Sequence, residues 1–204
     1  MIHYRYYAGC AKNQGILQIQ DLCKDGNPPF HQTSWLLLSG ATDPPKDISI
    51  SKRRQRDIHG NKSGSFLAGL TKDFANMEGK IIKERGQLHN VVRNLRLKKS
   101  FALDEIRDHF EHCKRENLKP ALYYAGHGEI GTGHWCFDDG TLSIQEISDM
   151  VRCECQLPVI VSDCCFSGHW ANFCLNKGMK GFHCFAACPF DVMAKDIDGT
   201  SYRI

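Results

Sequence analysis

Val161-Ser162-Asp163-Cys164-Cys165-Phe166-Ser167-Gly168 and Tyr123-Tyr124-Ala125-Gly126-His127-Gly128 decide how this chain is read. Each starts as an apolar, β-prone run, breaks into small residues, and presents one reactive side chain at the break. Apolar residues extend the first run back to Leu157 and the second to Pro120. Strands that are apolar throughout, rather than alternating, are buried on both faces, as in parallel sheets.

The segments around these two runs fit that reading. Ser34-Trp35-Leu36-Leu37-Leu38-Ser39-Gly40 predicts another buried strand, Val91-Val92 a short one, and residues 182–187 a last one. Between them lie helical patterns. Phe66, Leu67, Leu70, Phe74, Met77 and Ile81 share one helix face over 65–85. Ser100 is placed to cap a second helix, with Leu103, Ile106, Phe110 and Cys113 on its apolar face. Ser143-Ile144-Gln145-Glu146 is a capping box opening a third, and 167–176 forms a fourth. His134 to Phe137 followed by Asp138-Asp139-Gly140 predicts a hairpin. Strand and helix alternate, so the expected fold is α/β: a three-layer α/β/α sandwich with a mainly parallel sheet. Residues 1–33 read as an irregular N-terminal extension. Residues 34–204 form the domain, interrupted at 41–64 by a long basic loop.

Bulk properties narrow the class. The chain has 204 residues and a net charge of +3, which calls for neither nucleic acid nor an anionic membrane. No apolar run is long enough to span a bilayer, and the N-terminus lacks the apolar core of a signal peptide. There are eleven cysteines, an odd number, and several lie in strand-like runs. That usage points to a reducing, cytoplasmic setting.

In parallel sheets, ligands bind beyond the carboxyl ends of the strands, where His127 and Cys165 both fall. A Gly-His-Gly turn alone reads as structural, and a Cys-Cys pair alone as packing. Together at matching strand ends they make a base and a nucleophile. A helix N-terminus just after Cys165 favours thiolate, and His127 can move a proton near neutral pH. Amides near Gly128 and Cys165 are placed to hold an oxyanion. Asp163, two residues before Cys165 on a segment read as extended, would share its face and place a carboxylate beside the nucleophile. Such a carboxylate favours a cationic partner group, as on Arg or Lys. Cys164 then faces the other way and packs.

These segments resemble the two signature stretches of caspase-like cysteine peptidases, on the metacaspase and paracaspase side, over roughly residues 34–204. The resemblance implies a Cys165/His127 dyad, with the oxyanion held by the backbone of Gly128 and Cys165. It also implies a second acid at the start of the first helix, which Asp73 matches. A polypeptide is then the substrate, and no cofactor is required. Calcium activation known in some metacaspases would fall on Asp138, Asp139 and Glu146. Ala125 stands where many metacaspases have Ser, and Phe166 where His is common. The family domain usually runs further than this chain, so the expected sheet is incomplete at its C-terminal edge, to be finished by a partner chain or a dimer.

Other features carry other readings. Lys52-Arg53-Arg54-Gln55-Arg56 is a solvated basic run and, for an Arg-specific protease, a self-cleavage sequence. Cys153-Glu154-Cys155, His169 and His183-Cys184 match no common zinc spacing, so no metal site is expected. The competing function is a catalytically weak caspase-like module acting through protein–protein interaction.

Overall fold

A computed structural model describes residues 5–6, 32–40, 70–84, 86–94, 96–154, 158–176, 183–191, 195–197 and 200–202. The strands are β1 (Arg5–Tyr6), β2 (Thr33–Ser39), β3 (Gln87–Val92), β4 (Lys119–Ala125), β5 (Trp135–Phe137), β6 (Gly140–Leu142), β7 (Val159–Asp163), β8 (His183–Ala186), β9 (Lys195–Ile197) and β10 (Thr200–Tyr202). The helices are α1 (Leu70–Lys83), α2 (Lys99–Glu116), α3 (Ile144–Glu154) and α4 (Gly168–Asn176).

The main sheet runs β1-β8-β7-β4-β2-β3, and every pairing in it is parallel. Five substantial strands make it up, and the two residues of β1 flank β8. The segment read as irregular thus contributes Arg5 and Tyr6, opposite Phe185 and Ala186. They lie along the edge that the sequence leaves to a partner. The 41–64 loop and its basic run fall outside the described residues.

Alternation along the strands divides the core in two. Trp35, Leu37, Ala121, Tyr123, Val159, Val161 and Phe185 pack against Leu70, Phe74, Met77 and Ile81 of α1. Leu36, Leu38, Leu122, Tyr124, Ile160 and Cys184 pack on the other face, against α2, α3 and α4. Helices thus cover both faces, compatible with three layers. Burying a large apolar side chain stabilises by about 1.5–3 kcal/mol, so the two clusters hold the sheet from both sides. The chain leaves β2 on the α1 face toward β3 and returns to β4 through α2 on the opposite face. The direction of winding reverses between β2 and β4, and such a reversal opens a crevice at the carboxyl ends of the strands.

Helix boundaries combine local and distant signals. The capping box at α3 forms as predicted. The Ser143 amide donates to Glu146 Oε2 at 3.0 Å, and the Glu146 amide to Ser143 Oγ at 3.3 Å. Ser100 is not a cap: it lies exposed inside α2, and Lys98 at the N-cap makes no side-chain capping bond. Instead Asp139, from the β5–β6 hairpin, accepts the Lys99 amide at 2.6 Å. Asn117 ends α2 in the left-handed conformation, which Asn tolerates well. The predicted face of α2 is packed, with Ala102 and His109 added to it. Among the described residues, no helix is long and apolar enough to cross a membrane.

Candidate active site

The site is set by one register. Ala125 of β4 pairs with Asp163 of β7, and the Gly126 amide donates to the Asp163 carbonyl at 3.3 Å. His127 and Cys165 each lie two residues beyond that pair, at equivalent places on adjacent loops. The loops touch. A Cβ built on Gly128 would stand 1.9 Å from the Cys165 carbonyl oxygen and 2.9 Å from Cys164 Sγ. No side chain fits there, so the glycine after the histidine is what lets the two turns meet.

The His127 turn is pinned from one side by β5. Gly128 bridges Trp135 in antiparallel fashion. The bonds belong to its neighbours: the Cys136 amide donates to the His127 carbonyl at 3.1 Å, and the Glu129 amide to the His134 carbonyl at 2.9 Å. The Gly128 amide takes no part in these two bonds, and it is one of the two predicted oxyanion donors. His127 itself is only 7% exposed.

The two cysteines differ in burial. Cys164 is buried in the core on the α2 side, with its Sγ 3.3 Å from Ser162 Oγ. Burial pushes its thiol well above the ordinary range, which makes it a poor nucleophile. Cys165 is half-buried. It opens a three-residue turn before α4, in which Phe166 has a positive φ of 57°. The turn is tied to the end of β8: the Cys188 amide donates to Ser167 Oγ at 3.1 Å, and Cys188 Sγ approaches the Cys164 carbonyl at 3.3 Å. Burial raises the Cys188 thiol as well.

Asp163 is placed differently from the sequence argument. The extended segment ends at Asp163, so strand alternation does not carry through to Cys165. The carboxylate lies instead on the α1 face, where Tyr123 donates its hydroxyl to Oδ2 at 3.0 Å. Asp163 remains largely buried at the carboxyl end of its strand. Asp73 sits in the first turn of α1, half-buried. Its neighbour Phe74 packs edge-on against Tyr123, with ring centroids 5.7 Å apart. Both acids therefore belong to the side of the sheet that α1 covers, linked through Phe74 and Tyr123.

Beneath the loops runs an aromatic stack that sequence reading missed. Tyr124 lies flat on Trp135, at 4.6 Å and 6°. Trp135 in turn lies on Trp170 of α4, at 4.3 Å and 17°. Trp135 Nε1 donates to Ser162 Oγ at 2.8 Å, and Trp170 Nε1 to the Gly133 carbonyl at 2.6 Å. The only local signal for this was the doubled tyrosine, whose two rings must face opposite sides of the sheet.

The calcium expectation does not fit these side chains. Asp139 is engaged by the Lys99 amide. Glu146 accepts from Ser143 and pairs with Lys99 Nζ at 2.7 Å. Burial pushes the Glu146 carboxyl up, but those bonds to Lys99 and Ser143 outweigh it and hold the group below its ordinary value. Among the described residues, no group of three or more His, Cys, Asp or Glu side chains is arranged to hold a metal.

Comparison with known proteins returned no matching family model, no matching curated protein and no matching solved structure.

Proposed function

We propose that this chain is a cysteine endopeptidase of caspase-like fold, cutting after Arg or Lys. The observation that carries the reading is the Ala125–Asp163 register with Gly128 against Cys165. It brings a histidine loop and a half-buried cysteine together at the carboxyl edge of a parallel sheet, beside the winding reversal.

The chemistry follows from the groups present. His127 accepts the Cys165 thiol proton, and Sγ attacks the scissile carbonyl carbon. The negative charge that develops on the carbonyl oxygen is met by the amides of Gly128 and Cys165. As the C–N bond breaks, His127 returns the proton to the leaving amine and a thioester remains. His127 then takes a proton from water, the hydroxide adds to the thioester, and collapse releases the acid and restores the thiol. Asp163 supplies a carboxylate for a P1 guanidinium or ammonium, and Tyr123 orients it with a hydrogen bond. Asp73 adds to the same sign of charge from α1.

The test is hydrolysis of fluorogenic peptides with P1 Arg, Lys or Asp, with and without calcium, alongside Cys165→Ala. Cleavage after Arg or Lys that vanishes in Cys165→Ala is expected. Preference for Asp sinks the role of Asp163, and cleavage of none favours the interaction module.

A further inference from the structure

The Tyr124 hydroxyl stands at a junction that the chemistry above leaves unused. Its single proton serves the His127 carbonyl at 2.7 Å, with the Cys136 carbonyl a second acceptor in reach at 3.0 Å, and the oxygen accepts the Cys136 amide at 3.0 Å. A Cβ built on Gly40 would lie 1.9 Å from this oxygen, and one on Gly126 2.7 Å from it. Three segments therefore close on one atom: the end of β2, the turn after β4, and β5. The Gly40 amide adds a bond to the Ala125 carbonyl at 2.8 Å, so the first two of these segments are also joined directly. The ring is held flat by Trp135 and edge-on by Phe137 at 5.8 Å. Tyr124 is wholly buried, and burial raises its hydroxyl well above the ordinary phenol range. It therefore stays protonated and remains a donor at any working pH.

We propose that Tyr124 is a positioning residue for His127: its hydroxyl fixes the peptide that carries the base, and so sets the imidazole against Cys165. The role rests on the peptidase reading. Its physical basis is rigidity. A base on a glycine-flanked turn has wide backbone freedom, and misplacement by about 1 Å costs on the order of 10²-fold in rate. Loss of the hydroxyl would leave the His127 carbonyl with the Cys136 amide, while the aromatic stack stays intact.

The test is Tyr124→Phe, with two readouts. One is the rate of iodoacetamide alkylation at Cys165 against pH, followed by mass spectrometry. The other is kcat and KM on a P1 Arg peptide. In wild type, His127 should extend Cys165 reactivity to lower pH, and His127→Ala should remove that limb. Tyr124→Phe should shrink the same limb and lower kcat by about 10²-fold with KM unchanged. A Tyr124→Phe protein with wild-type profile and kcat overturns the positioning role alone. A wild-type profile that His127→Ala does not alter overturns the peptidase reading, and the positioning role with it. Should Tyr124→Phe fail to fold, Gly40→Ala, whose methyl would displace the hydroxyl, is read in the same way.

Discussion

Among the described residues, histidine and cysteine lie near one another inside α2 and at the sheet edge, and the proposed chemistry falls on the second pair. In α2, Cys113 Sγ lies 3.7 Å from His109 Nδ1 and 3.8 Å from Nε2. Being nearly equidistant from both nitrogens, the sulfur is off the lone-pair axis of either. Both residues are fully buried. Burial, and then the neighbouring His89, drive His109 down to about 3. A base that weak takes no thiol proton near neutral pH. At the sheet edge, His127 and Cys165 stand on separate loops, and the cysteine is half-buried. Closeness of the two groups is therefore not the signature of a site. What distinguishes the edge pair is a cysteine that is only half-buried and a glycine that lets the two loops meet.

The sharpest way to break this comparison is to remove each sulfur in turn. Cys165→Ala should lower peptide turnover by at least about 10³-fold, whereas Cys113→Ala should leave kcat within a factor of about two. Equal losses in the two variants would erase the distinction. Next in size is Gly128→Ala, which forces the loops apart. A fall of about 10²-fold in kcat/KM is expected, read against thermal unfolding to show that the fold persists.

The buried pair should speak through stability instead. His109 has a folded pKa of about 3, below the unfolded value of about 6.5, so the unfolded chain binds its proton more tightly. Its contribution is complete above pH 6.5 and is lost as pH falls toward 3. At pH 5 the cost is about 2 kcal/mol. Urea unfolding at pH 7.5 and pH 5 measures it, and His109→Gln should flatten the difference. A pH response unchanged in that variant would assign acid sensitivity elsewhere. The smallest effect concerns labelling: brief iodoacetamide treatment of native protein should modify Cys165 about tenfold faster than Cys113 or Cys164, because burial suppresses the latter two thiols.

Signals carried over three or four residues were legible before any coordinates. The Ser143–Glu146 box and the Asp138-Asp139-Gly140 turn are of this kind. Both strand-end breaks were legible too, because an apolar run followed by glycines marks a buried strand giving way to a loop. What escaped depends on pairing across the fold. Ser100 reads as a cap, but Asp139, forty residues on, takes that role by reaching the Lys99 amide. Whether Cys165 shares the face of Asp163 depends on where β7 stops, which the turn over Cys165–Ser167 fixes and alternation does not. The meeting of Gly40 with Tyr124 joins residues that only the β2–β4 pairing makes neighbours. His89 is a similar case. It is the extra residue where β3 slips against β2 between Leu88 and Asn90, and its ring thereby reaches His109 and His112, each at 4.8 Å.

The Trp135–Trp170 stack has an optical consequence. Two indoles face to face at 4.3 Å couple their electronic transitions, and the coupling exists only while the hairpin and α4 are docked under the His127 and Cys165 loops. Near-ultraviolet circular dichroism should therefore carry a signed couplet from this pair, with Trp35 on the opposite face of the sheet adding a separate signal. The molecule carries an internal spectroscopic reporter on the floor of its own site, readable without label or substrate.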